Sequence, residues 1–264
     1  MTTSQTPKDT SHSSQRPGIG VLLVHGLNGS RYDMAELETA LQARGMVTNN
    51  MLLPGHGTQV RELMPLGWAD WAQAVRAELA GLKQQCDMVF LVGHSLGGAL
   101  SLHIAAHEEV AGIVAMCAPI HMSSWTRLFV RVARRVTPVL PTVQMWDVRD
   151  PKARRYTKDI YRWTPMQPLE SMLQFLPQLR AELPQVTAPA LIMYSIHDHV
   201  VPASDAREIY QQISSREKHL VTLHRSYHVI MKDHDREEVI AKTAAFILRH
   251  ANKANVHQES LPHA

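Results

Sequence analysis

Met88-Val89-Phe90-Leu91-Val92-Gly93-His94-Ser95-Leu96-Gly97-Gly98 is the stretch on which the reading of this sequence turns. Its first five residues are an apolar run that predicts a buried strand, and the Ala-rich stretch from Leu96 to His107 predicts a helix directly after it. Gly93-His94-Ser95-Leu96-Gly97 fills the junction, a G-x-S-x-G pattern in a strand-to-helix context. A turn that tight forces Ser95 into an unusual backbone conformation, and Gly93 and Gly97 lack the side chains that would collide there. The hydroxyl is thereby pushed clear of the sheet. It also stands at a helix N-terminus, where unpaired N–H groups favour the negative charge that develops during acyl transfer. Ser95 is therefore the candidate nucleophile and the Leu96 N–H a candidate oxyanion donor; a serine that only capped its helix would leave both glycines unexplained.

Outward from this junction, short apolar runs alternate with stretches of helical period. Ile19 to Val24 precedes Met34 to Arg44, and Val47 to Leu52 precedes Trp68 to Gln84. The alternation resumes with Val110 to Met116, breaks, and restarts with Ala190 to Tyr194, Ala203 to Ile213, Leu220 to Leu223 and Glu237 to Arg249. Such a pattern predicts an α/β fold, a mostly parallel central sheet with helices on both faces. The break, between Ala118 and Pro189, holds eight prolines and no clear strand. That is too long for a simple connection, so an inserted small helical cap is expected over 120–185, with the core formed by 18–119 and 186–250. The polar ends, 1–17 and 251–264, read as flexible termini.

Composition narrows the class of protein. At 264 residues the chain fits one large domain. With 45% apolar and 19% charged residues, neither wholesale disorder nor a coiled coil is indicated. Cys86 and Cys117 are the only cysteines, each beside or within an apolar run, which gives buried thiols rather than a disulfide framework or a metal site. Sixteen histidines are scattered singly with no HExxH spacing, so no metal and no cofactor is expected. A formal charge of +3 is too small to argue for nucleic acid. The polar N-terminal stretch has no signal-like apolar core and no run approaches a membrane span, which makes a cytoplasmic location the expectation.

A serine hydroxyl is a weak nucleophile at neutral pH and needs a base, most often histidine. In a chain with this elbow the order is serine, acid, histidine, with the histidine in the loop after the last strand. His228, in Ser226-Tyr227-His228-Val229-Ile230, stands in that loop; His224 lies closer to the strand and His234 at the next helix. The acid should follow the strand Ala190 to Tyr194, where Asp198 lies in a turn before a helix. Asp205, the nearest rival, lies past Pro202 and reads as a first-turn residue of that helix; after the preceding strand no acid occurs before Asp147. A second oxyanion donor is expected from His25-Gly26-Leu27-Asn28-Gly29-Ser30, with the Leu27 N–H as the candidate and His25 bracing the loop. His56, in Pro54-Gly55-His56-Gly57, reads as shaping a loop near the site mouth, and Trp68 and Trp71 as core.

Taken together, the His25 to Gly29 loop, Pro54-Gly55-His56-Gly57, the elbow Gly93 to Gly98, Met116-Cys117-Ala118-Pro119, the turn at Asp198 and Ser226-x-His228 make the chain resemble the α/β-hydrolase superfamily. Within it the likeness is to the compact bacterial carboxylesterases and monoacylglycerol lipases, over about residues 18 to 250. The resemblance implies a two-step acyl-enzyme mechanism on a small-molecule carboxylic ester under a small helical cap. Ser195 departs from the family, which often has Gly before the acid. A monoacylglycerol lipase would differ from a carboxylesterase in having polar groups under the cap that hold a glycerol. A small-molecule receptor on the same fold is the reading from outside enzymology, because fold alone does not fix function.

Charge within the cap is uneven: Ser123 to Glu182 holds eleven Lys or Arg against five Asp or Glu. Arg127, Arg131, Arg134 and Arg135 interleave with Leu128, Phe129, Val130 and Val132, so a helix here is both basic and apolar. Either its apolar side packs on the core, or the helix makes a weak contact with anionic lipid or micelle surfaces.

Overall fold

A computed structural model describes residues 18–142, 147–154 and 162–259 of the chain. Its centre is a six-stranded, wholly parallel sheet in the order β2-β1-β3-β4-β7-β8, built from β1 (Ile19–Val24), β2 (Val47–Asn50), β3 (Met88–His94), β4 (Gly112–Met116), β7 (Ala190–Ser195) and β8 (Lys218–Leu223). Side chains alternate across it. Val21, Leu23, Phe90 and Val92 face one helical layer, while Leu22, Val24, Leu91 and Ile113 face the other. Both faces are covered, which is why these strands read as continuous apolar runs rather than as alternating ones.

The first layer is α1 (Arg31–Gln42) and α9 (Arg236–Glu259); the second contains α3 (Trp68–Gln85), α4 (Leu96–His107), α7 (Met166–Glu182) and α8 (Ala203–Gln212). Every residue of α4 from Leu96 to Ala105 is buried. Its Ala, Gly and Ser content follows from that, since a helix enclosed on all sides must admit close neighbours. Trp71 is fully buried and its Nε1 donates to the Pro54 carbonyl at 3.2 Å. Trp68, partly buried, stacks on Phe175 at 4.6 Å, so both tryptophans belong to the core, as expected.

Strand order positions the site. The chain runs from β1 to the edge strand β2 and then crosses back to lay β3 on the other side of β1, which creates a topological switch point between β1 and β3. In open parallel sheets it is outside the C-terminal ends of the strands, at such a point, that ligands bind. The loops after β4, β7 and β8 follow along the same edge because every strand is parallel.

Between β4 and β7 the chain forms α5 (Ser124–Val136), β5 (Val139–Pro141), α6 (Pro151–Arg154), β6 (Trp163–Pro165) and α7. One sequence expectation changes here. The break contains a two-stranded antiparallel ribbon, Val139 paired with Pro165 and Pro141 with Trp163. Strands of three residues that carry proline are too short to display a two-residue period. For α5 the sequence left two placements open, and its apolar side faces outward: Trp125, Leu128, Phe129, Val132 and Val136 are exposed, at 81% for Trp125 and 82% for Val136. Its Arg134 meets Glu170 of α7 at 2.5 Å, and Val130 is its only buried residue. The last helix continues to Glu259, past residue 250, because no Gly or Pro interrupts 251–259 despite their polar composition. The expected termini at 1–17 and 260–264 lie outside the described residues.

Candidate active site

Ser95 has φ 53° and ψ −119°, a left-handed conformation that costs a non-glycine residue on the order of 1–3 kcal/mol. Its N–H donates to the Met116 carbonyl at 2.8 Å, tying the elbow to β4. A Cβ on Gly93 would collide with the Gly97 carbonyl, and one on Gly97 with the carbonyls of Val24 and His25. Among the described residues the other non-glycine positions with positive φ are Asn28 and Cys117, after β1 and β4. All three stand at the C-terminal edge of neighbouring strands, so the strain is concentrated at this site.

Asp198 and His228 are in contact. His228 Nδ1 lies 2.8 Å from Asp198 Oδ2, and the other carboxylate oxygen accepts the N–H groups of Val200 at 2.8 Å and Val201 at 2.9 Å. Burial opposes the Asp198 charge, but His228 and these hydrogen bonds outweigh it and hold the carboxyl below its ordinary value. With Nδ1–H donated to the carboxylate, the lone pair of His228 is on Nε2, which is buried and has no hydrogen-bond partner among the described residues. His94, next to Ser95, packs its ring 4.8 Å from that of His228 and donates from Nε2 to the His228 carbonyl at 3.0 Å. Thus the elbow and the base are locked together through the neighbour of Ser95.

The loop carrying Leu27 is held by two neutral histidines. Leu53 N–H donates to His25 Nε2 at 3.1 Å, so the ring proton is on Nδ1 and goes to the Gly26 carbonyl at 2.8 Å. Asn28 N–H donates to His56 Nε2 at 3.2 Å, and His56 Nδ1 reaches the Pro54 carbonyl at 3.2 Å. Burial, and then the proximity of His56, lowers the His25 pKa to about 3; burial lowers that of His56 to about 4. His94 is lowered to about 3, by burial and then by His228. This arrangement ties the loop from His25 to Asn28 to the Leu53–His56 turn, and the carbonyls of Val24 and His25, where the loop begins, lie close against Gly97 of α4.

Ser195 finds its use in the structure. Its hydroxyl donates to the Ser226 carbonyl at 2.5 Å and accepts the His197 N–H at 3.1 Å, joining the acid turn to the histidine loop. Asp205, expected to serve its own helix, is fully buried and instead accepts the N–H groups of Ile120 at 2.8 Å and His121 at 3.0 Å, where the cap begins. Three buried carboxylates escaped the sequence reading. Asp147, Asp233 and Asp235 accept main-chain N–H groups in or beside the His228 loop. Only the density of acids after His228, in Asp233-His234-Asp235, hinted at this.

Away from the site, His103 and His107 are spaced one helical turn apart and meet Glu182, a spacing the sequence reading passed over. Arg76, a donor only, lies 3.1 Å from His103 Nε2, so His103 Nδ1 carries the proton and donates to Glu182. The cluster is satisfied as a hydrogen-bonded chain. Cys86 and Cys117 are free and buried.

The chain matches the model of the Hydrolase_4 family, described as serine aminopeptidase, S33, over residues 15–235. It is 33% identical over 88% of its length to the thermostable monoacylglycerol lipase of Bacillus sp. (strain H-257), of which it covers 92%. To the carboxylesterase of Bacillus subtilis (strain 168) it is 28% identical, over 83% of this chain and 88% of that one. Among solved structures it is similar to one from the work on LipS and LipT, two metagenome-derived lipolytic enzymes, with a TM-score of 0.81 and 32% identity over 89% of this chain and 95% of that one. The elbow, the parallel sheet and these likenesses agree, and the chain belongs to the Hydrolase_4 family of serine hydrolases, with the α/β-hydrolase fold.

Proposed function

We propose that this protein hydrolyses carboxylic esters through an acyl-enzyme on Ser95. The observation that carries the reading is His228, whose Nδ1 is committed to Asp198 while its Nε2 is left open beside the elbow. Ser95 Oγ attacks the ester carbonyl as His228 Nε2 takes its proton. Charge on the carbonyl oxygen is met by the N–H groups of Leu27 and Leu96. His228 returns the proton to the departing alcohol, then activates a water that releases the acid. The chemistry needs no cofactor. Both the monoacylglycerol lipase and the carboxylesterase among its relatives bear ester-cleaving names, which supports an ester over a peptide substrate.

Two ester classes fit, and the principal reading is a carboxylesterase. A specific observation favours the monoacylglycerol as a second. Asn28, next to Leu27, donates from Nδ2 to Thr164 Oγ1 of the cap ribbon at 2.7 Å, and Thr164 meets Thr142 at 3.0 Å. The Asn28 Oδ1 is buried with no partner among the described residues, an acceptor suited to a hydroxyl of the leaving alcohol. Free, buried thiols at Cys86 and Cys117 suit a reducing, cytoplasmic setting.

A fluorophosphonate should label one residue, Ser95, by peptide mass mapping, and a hydrolysis series over esters of rising acyl length, with monoacylglycerols and an aminoacyl anilide included, should show turnover of esters only. Label on Ser226, or faster cleavage of the anilide, overturns the reading.

The outward apolar stripe of α5, with Arg127 and Arg135 beside it, supports a weak contact with anionic lipid surfaces. Such a helix sinks its apolar side into the headgroup boundary while its cations meet the lipid charge. Co-sedimentation with anionic vesicles should be strong at low salt, fall as salt rises past about 0.1 M, and drop in the double variant Trp125→Ala, Phe129→Ala. Turnover of a soluble short ester should not change in that variant. Absence of vesicle binding at low salt rules the contact out.

A further inference from the structure

The segment 147–150 lies inside the cap insertion. It is stitched to the loop that carries His228. Asp233 accepts the N–H of Arg149 at 2.7 Å and of Asp150 at 2.9 Å, and on its other side those of Tyr227 at 2.9 Å and His234 at 2.8 Å. This fixes the strap beside the loop and presents one side chain to the site, Asp147, whose side chain is 7% exposed.

Asp147 touches both loops of the acid–base pair. Its Oδ2 accepts the N–H of His228 itself at 2.9 Å and the N–H of His199, the residue after Asp198, at 3.3 Å. Its Oδ1 meets His199 Nδ1 at 2.5 Å, and its carbonyl accepts the Val229 N–H at 3.4 Å. A buried carboxylate is costly unless its oxygens are occupied by donors, and here each donor comes from a loop bearing one member of the pair. The ring of His228 is not among these contacts. Asp147 therefore takes no proton in the reaction, and its geometric effect falls on where the His228 backbone sits relative to Asp198 and Ser95.

We infer that Asp147 is a positioning residue, through which the cap insertion sets the catalytic histidine against the nucleophile. The inference rests on the assignment of Ser95 and His228 above. A displacement of a base by 1 Å costs on the order of 100-fold, so a carboxylate that fixes its main chain controls rate without touching substrate.

The experiment is steady-state kinetics of Asp147→Ala on a soluble short ester, with rates expressed per active site titrated by fluorophosphonate. Alanine removes both carboxylate oxygens, so the N–H groups of His228 and His199 lose their acceptor. The expected result is a fall in kcat of about 10- to 100-fold with KM within twofold, and an equal fall in the rate constant of fluorophosphonate labelling. Should that variant not fold, Asp147→Ser, which is small and can accept one N–H, is read in the same way. Wild-type kcat per titrated site in whichever variant folds overturns the inference, as does a loss expressed only in KM. Ser95→Ala, run in parallel, separates the two levels: activity surviving there defeats the Ser95 assignment, whereas an inactive Ser95→Ala beside a fully active Asp147→Ala defeats only the role of Asp147.

Discussion

Alanine at Ser95 or at His228 should lower kcat on a soluble short-chain ester by about 10⁴- to 10⁶-fold, and alanine at Asp198 by somewhat less, with KM moving little in all three. The large figure follows from the proposed mechanism, in which the three residues act as one unit. Without the serine no acyl-enzyme forms, and without His228 Nε2 the hydroxyl keeps its proton, so either loss removes the whole covalent route. Asp198 has a different place. Its Oδ2 selects the tautomer of His228 and steadies the imidazolium that forms, while its Oδ1 is spent on the Val200 and Val201 N–H groups. Its removal leaves a histidine still placed by the Asp147 and His94 contacts to its main chain but free to hold its proton on either nitrogen. The residual rate in the Ser95 variant should be carried by the backbone donors alone. A double variant, Ser95→Ala with His228→Ala, should be scarcely slower than either single one, since the second loss removes a group that has nothing left to activate. Multiplicative losses in the double variant, or a single variant keeping a tenth of wild-type kcat, would exclude the residue concerned from this unit.

What could be read in the sequence was what has a period or a fixed local shape. The strands β1, β3 and β4 were legible because burial on both faces makes them apolar without interruption, and the elbow because a left-handed serine needs bare glycines at Gly93 and Gly97. The pairing of Asp198 with His228 followed from chain order on parallel strands. The cap was not legible in detail. Its ribbon is three residues a side, and the amphipathic pattern of α5 says that one side is apolar without saying which side meets the protein. Least legible were Asp147, Asp205 and Asp233: each binds main-chain N–H groups at least 80 residues away in sequence for its longest contacts, and main-chain N–H groups leave no mark on composition. Ser195 shows the same limit from the other side. As a departure from the family it looks like a defect in the acid turn, and only the position of the Ser226 carbonyl reveals a tie.

Folding stability should collapse below neutral pH by about 4 kcal/mol per pH unit between about pH 6 and pH 4, three histidines being responsible. His25, His56 and His94 have folded pKa values of about 3, about 4 and about 3, all lowered chiefly by burial. In the unfolded chain each titrates near ~6.5. Above that pH both states carry neutral rings and nothing is gained or lost. Below it the unfolded chain takes up protons that the folded chain refuses, so stability drains away as pH falls toward the folded values. At about pH 5 each ring is roughly 1.5 units below its unfolded pKa, which is about 2 kcal/mol apiece and about 6 kcal/mol for the three, against a total of about 5–15 kcal/mol for a domain. The lowered carboxyl of Asp198 adds to the loss only at more acid pH, since its contribution holds above the ordinary carboxylate value and fails as pH falls through its depressed one. Urea melts between pH 7.5 and pH 4.5 give the slope directly, and a stability that stays level from pH 7 to pH 5 would sink the argument. The chemistry of the loop gives the reason such a liability persists. His25 and His56 each accept a main-chain N–H through Nε2 while donating through Nδ1, so only the neutral imidazole can hold Leu53 and Asn28 at once. Protonating either ring would replace an acceptor with a second donor and release the loop that carries the Leu27 N–H, so the folded loop holds only as long as both rings refuse the proton.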